Sequence, residues 1–76
     1  MNVELTLIGY RGREWKRRLP RVDAGRALEA FQINAVVQVH ATRAIVIRRV
    51  LRKQFYSTAL RVTVMSLERA ERLNFR

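Results

Sequence analysis

The sequence predicts a small single-domain α+β protein, residues 1–76, in which a β-hairpin leads into one helix packed on an antiparallel sheet, followed by further strands and a short C-terminal helix. Three observations carry this expectation. Apolar and polar residues alternate in VELTLIG and again in REWKRRLPRV, with a glycine turn between them. Apolar residues recur at spacings of three and four after Asp23, and valine- and isoleucine-rich runs fill the second half.

In the first strand Val3, Leu5 and Leu7 alternate with Glu4 and Thr6, and the run stops at Gly9. YRGR offers Gly12 as the turn residue. The second strand places Trp15 and Leu19 on one face and Lys16 and Arg18 on the other. Arg17 falls on the apolar side and Pro20 removes a ladder donor, so this strand is expected at a sheet edge, where basic side chains discourage aggregation. Asp23 is a good helix N-cap, and Ala24, Ala27, Leu28, Phe31 and Ala35 then share one helix face. Asn34 is the candidate stop.

Residues 35–67 contain no Gly, Pro, Asn or Asp, so the usual turn punctuation is missing. Read as strands, a segment near 36–40, the run AIVIRRVLRKQF and a final ALRVTVM are joined by tight turns at HATR and QFYST. Read as a helix, residues 43–56 put Ala44, Ile47, Val50, Leu51 and Phe55 on one side and Arg48, Arg49, Arg52 and Lys53 on the other. The helical reading yields an alternative fold, a winged helix-turn-helix with Thr42, Arg43, Arg48, Arg49 and Arg52 toward DNA. The valine and isoleucine content favours strands, with AIVI entering the core and RRVLRK staying outside. Ser66 is then placed to cap a terminal helix LERAERL, with Glu68 and Glu71 near its start.

Composition narrows the function classes. Hydrophobic residues make up 49% of the chain and there is one proline, which is a folding composition. A domain of this size hides only about 60% of its unfolded surface, so a homodimer is compatible with so small a core. Without cysteine there are no disulfides, thiolate metal sites or cysteine nucleophiles. The N-terminus does not read as a signal peptide, and INAVVQVHATRAIVI is interrupted by Gln38, His40 and Arg43, so no membrane span and a cytoplasmic location are expected.

The formal charge is +10, made by fourteen arginines and two lysines against six carboxylates. Its distribution is more informative than its size. Residues 30–67 hold no acidic residue, while Arg43, Arg48, Arg49, Arg52, Lys53 and Arg61 all fall there. Such a surface displaces phosphate counterions, and arginine's planar fork suits phosphate well. The expected function is therefore binding of nucleic acid, DNA or RNA, by a non-enzymatic basic protein. The candidate contacts are those six residues together with Lys16, Arg18 and Tyr10, the last beside Arg11 in a turn expected to be exposed. Trp15 and the pair Phe55 and Tyr56 are assigned first to core packing.

Catalytic readings find little support, and no cofactor or metal is expected. His40 has no carboxylate within ten residues, no pair of carboxylates is fixed by spacing, and GYRGR lacks a phosphate-binding glycine pattern. The rival reading is an inhibitor or adaptor that docks the same arginines on an acidic protein surface. In size and element order the chain is similar to small accessory proteins of phages and mobile elements, including some inhibitors of bacterial immune complexes. That resemblance implies a protein partner and assigns no residue a role.

Overall fold

The computed structural model describes residues 1–53 and 55–73. In chain order these form β1 (Asn2–Ile8), β2 (Glu14–Leu19), α1 (Ala24–Ala30), β3 (Val36–Val39), β4 (Thr42–Lys53), β5 (Thr58–Ser66) and α2 (Leu67–Arg72). The α+β architecture is thus a hairpin, a short helix, three further strands and a terminal helix. The strands make one curled sheet of order β2-β1-β5-β4-β3.

The sheet is mixed rather than wholly antiparallel, because β1 and β5 pair in parallel at its centre, Val3 opposite Leu60 and Leu7 opposite Val64. The other neighbours are antiparallel. Residues 42–53 are one long strand, which overturns the helical reading of 43–56 and the winged helix-turn-helix built on it. Branched side chains at Ile45, Val46 and Ile47 suit a pleated surface better than a helical one, and here they are covered from both sides.

One side of the sheet, the helix face, carries the main core. Val3, Leu5 and Leu7 of β1, Leu60, Val62 and Val64 of β5, and Ala44 and Val46 of β4 are buried there with Ala27 of α1. Leu28 and Phe31 pack against this cluster, whereas Ala24 is exposed. The Asp23 carboxylate caps α1 as expected, accepting from the Arg26 backbone N–H at 3.0 Å. The helix ends earlier than Asn34, with Phe31 at the C-cap. Asn34 turns the chain in the left-handed region at φ 72°, and its N–H donates to the Val46 carbonyl, which leads the chain into β3.

The opposite side, the open face, is covered only at one end. There α2 sets Ala70 and Leu67 against Ile8, Ile45, Ile47 and Met65. Ser66 occupies the N-cap position of α2 but makes no side-chain cap hydrogen bond, and Glu68 alone supplies an acidic first turn.

Both short hairpins follow local rules. Tyr10, Arg11 and Gly12 connect β1 to β2, with Gly12 at φ +83° and its N–H donating to the Gly9 carbonyl. His40 and Ala41 connect β3 to β4 with φ 48° and 59°, a two-residue loop that is usually given to Asn and Gly. The curl brings the two sheet edges together over the helix face, where the Trp15 and His40 ring centroids lie 6.5 Å apart. The turn expected at QFYST joins β4 to β5; Gln54 within it lies outside the described residues.

Candidate functional site

The decisive local feature is a β-bulge in β4. Val46 is opposite Val64, but Arg48 is opposite Thr63, so Ile47 is an extra residue on this strand. Before it, even-numbered residues face the helix; after it, odd-numbered ones do. In an unbroken strand Arg48 and Arg52 would follow Ala44 and Val46 into the core. The extra residue instead sends Arg48, Val50 and Arg52 to the open face and Arg49, Leu51 and Lys53 to the helix face.

On the open face the register then assembles cations from three strands around the central pair. One row across the sheet runs Lys16, Thr6, Thr63, Arg48, and the next runs Arg18, Glu4, Arg61, Val50. Arg52 ends the row beyond, beside Ala59 and Asn2. Apart from Asn2 and Ala59, these residues line an open trough of about 750 Å³, bordered also by Leu5, Arg17 and Val62, whose register turns them to the helix face. Five cations, Lys16, Arg18, Arg48, Arg52 and Arg61, surround one carboxylate, Glu4. Glu4 is bound by Arg61, whose Nε donates to Oε2 at 2.8 Å. That hydrogen bond is the main influence holding the Glu4 carboxyl below its ordinary value; desolvation opposes it, and the charges of Arg61, Arg18 and Arg52 add to the lowering. Cations thus flank Glu4 from both sides of the central strands, Arg18 on β2 and Arg52 on β4.

The remaining sequence candidates lie elsewhere. Arg49 faces α1, where its Nη1 donates to the Leu28 carbonyl at 2.8 Å and the Phe31 carbonyl at 3.3 Å. A guanidinium on the last carbonyls of a helix satisfies orphan acceptors and complements the helix dipole. Arg49 therefore fastens α1 to the sheet. An Arg49→Ala variant is expected to lose about 1.5–3 kcal/mol of stability, read by urea denaturation, while keeping the salt dependence of any polyanion binding.

Arg43 lies at the other end of β4, around a small recess shared with Glu68 and Glu71 of α2. Lys53 borders the β4–β5 turn on the helix-face side. Tyr10 is 46% exposed but already engaged: its hydroxyl accepts from Arg72 Nη1 at 2.7 Å, the Arg72 guanidinium sits 5.6 Å from its ring, and its carbonyl accepts from Arg69 Nη1 at 3.1 Å. Gly12 makes room for that clasp, since a Cβ there would stand 3.3 Å from Arg69.

Phe55 and Tyr56, assigned by sequence to the core, are 98% and 100% exposed. The signal available in the sequence was the pair's position directly behind a basic strand end, in a turn without glycine. Trp15 is also largely outside, with Arg13 at 5.8 Å from its ring.

Comparison with protein-family models, with curated proteins and with solved structures finds no match to this chain. Among the described residues no group of three His, Cys, Asp or Glu side chains is placed to hold a metal, and no helix is long and apolar enough to cross a membrane.

Proposed function

We propose that this chain is a non-enzymatic nucleic-acid-binding protein that holds a phosphate backbone in the trough of the open sheet face. The observation that supports it most is the convergence of Lys16, Arg18, Arg48, Arg52 and Arg61 around a single, already neutralised carboxylate. Like charges packed this closely repel one another, and a polyanion relieves the repulsion. The face itself carries threonines and arginines but no ring, which suits contact with phosphate and sugar rather than reading of base edges. Binding through the trough is therefore independent of sequence.

The test is an affinity measurement on labelled single- and double-stranded DNA and RNA across a salt series. The reading requires micromolar or tighter binding near physiological salt, with an affinity that falls steeply as salt rises. Binding that vanishes well below physiological salt would sink it and favour an acidic protein partner. Glu4→Gln supplies a second arm. It frees Arg61 and removes the only negative charge of the trough, so affinity should rise several-fold and the salt slope steepen by about 0.7 to 0.9.

The acid limb of the same experiment has a fixed sign. Because the folded Glu4 carboxyl is depressed, the Glu4–Arg61 pair supports the fold above the ordinary value of 4.5 and is lost as pH falls through the lower folded value. Wild-type affinity should therefore climb toward that of Glu4→Gln in acid, and the variant should lack this limb.

A further inference from the structure

The β4–β5 turn contributes nothing visible to folding through its two rings. Phe55 and Tyr56 stand almost wholly in solvent, they pack on no part of either core cluster, and Phe-Tyr-Ser offers none of the glycine, asparagine or proline that shapes tight turns. Each ring exposes a large apolar surface that a polar side chain in the same place would not. Their centroids are 6.3 Å apart with planes inclined at 39°, so the outer faces of both rings are open. The rings also have a definite address. They follow Arg52 and Lys53 past the end of β4, at the end of the sheet opposite α2, and border a recess on the helix-face side with Met1, Asn2, Ala24, Lys53 and Thr58, round the strand end from the trough.

From this arrangement we infer that Phe55 and Tyr56 are a base-stacking platform that makes the chain selective for single-stranded polynucleotide. The inference rests on the nucleic-acid reading of the open face and adds the strandedness of the ligand. Bases are accessible for stacking only when they are unpaired, and every base has a π face, so a pair of free rings at the tip of the hairpin that carries the trough cations favours single strands without choosing a sequence. Arg52 is the hinge of the site. It is the last trough cation before the rings in sequence, so a strand whose bases lie on Phe55 and Tyr56 passes Lys53, which borders the same recess, and rounds the end of β4 to Arg52 and then Arg61 and Arg48 along the same hairpin. The cations supply the salt-dependent part of the affinity and the rings the salt-independent part.

The experiment compares three probes of equal length: a labelled oligothymidylate, a duplex, and an abasic phosphodiester strand. Each is titrated with wild type and with Phe55→Ala/Tyr56→Ala at several salt concentrations. Both rings are outside the core, so circular dichroism and the thermal midpoint of the double variant should match wild type. Wild type should prefer oligothymidylate to both other probes, and the variant should lose at least about tenfold on oligothymidylate while keeping its duplex and abasic affinities and its salt slope. Phe55→Trp/Tyr56→Trp should restore the preference.

The two readings fail differently. Absence of binding to all three probes overturns the nucleic-acid reading itself. Wild-type binding to all three with equal affinity, unchanged in the alanine variant, overturns the stacking platform and leaves the trough reading standing. Loss of binding to phosphatidylserine vesicles in the alanine variant, with no change on oligothymidylate, would also overturn the platform, in favour of a tip that enters membranes.

Discussion

Replacing Lys16, Arg18, Arg48, Arg52 and Arg61 together by glutamine is expected to lower affinity for single-stranded polynucleotide about a hundred- to a thousandfold near physiological salt. The salt slope should flatten by about 3.5, the share of five phosphate contacts on a single strand. All five side chains line the trough and none belongs to a core cluster, so the fold should survive. The thermal midpoint should change little, because relief of repulsion among neighbours on one face offsets loss of the exposed Arg61–Glu4 pair. The informative control removes the same amount of charge elsewhere, with Arg11, Arg13, Arg21, Arg26 and Arg43 changed to glutamine. Those five residues are exposed but lie off the trough. If the two variants lose affinity equally, binding follows the net charge of +10 and not the arrangement of the open face.

Leu60→Ala is expected to be the most damaging single core change. Leu60 is 1% exposed and is the largest of the fully buried side chains, set between Val3 of β1 and Leu51 of β4. Truncating a buried leucine costs about 2.7 to 5 kcal/mol in transfer and cavity terms. At about 0.05 to 0.15 kcal/mol per residue, a chain of 76 residues holds only about 4 to 11 kcal/mol in total. The variant should therefore unfold at a much lower urea concentration or be unfolded at the outset. Leu51→Ala tests whether burial sets that cost. Leu51 is directly opposite Leu60 on the same face but is 47% exposed, and its truncation should cost only about 1 kcal/mol. Equal losses at the two positions would mean that the sheet edge beyond β5 is covered in solution by something other than this chain.

Where residue chemistry acts locally, the sequence was a sufficient guide. Val3, Leu5 and Leu7 marked β1, Gly12 marked its turn, Asp23 marked the start of α1, and the edge character of β2 followed from its charges and Pro20. Ambiguity arose at residues 43–56 because the bulge breaks the period of two. Four apolar residues in succession followed by Arg48 and Arg49 obey neither strand alternation nor its absence, and a wheel of 100° accepts the same set. Parallel pairing of β1 with β5 joins segments at opposite ends of the chain, and no local signal encodes it.

The same distinction governs the site. That the second half would present a cationic surface was legible from the missing carboxylates. The division of labour among its arginines was not. Arg48 and Arg49 are adjacent and chemically identical, yet one lines the trough and the other ends a helix, because one extra residue stands before them. Tyr10 was the favoured exposed ring until α2 brought Arg69 and Arg72 across 59 and 62 positions of sequence to hold it. Phe55 and Tyr56 were the reverse case, apolar by type and left outside by a turn with nothing above it.

Ile47 also sets how this hairpin can tolerate change. Downstream of it, the identity of each residue matters less than its parity, since position decides whether a side chain meets the core or the solvent. Exchanging Arg52 for lysine leaves that assignment alone. Inserting or deleting one residue between Arg48 and Lys53 exchanges the destinations of everything beyond the change, driving cations toward α1 and moving apolar groups into the trough. Removing Ile47 itself is the exception, because Val46 and Arg48 already have the orientations of adjacent residues in a regular strand. The arm therefore behaves like text with a reading frame, forgiving of spelling and intolerant of slippage at every letter but one.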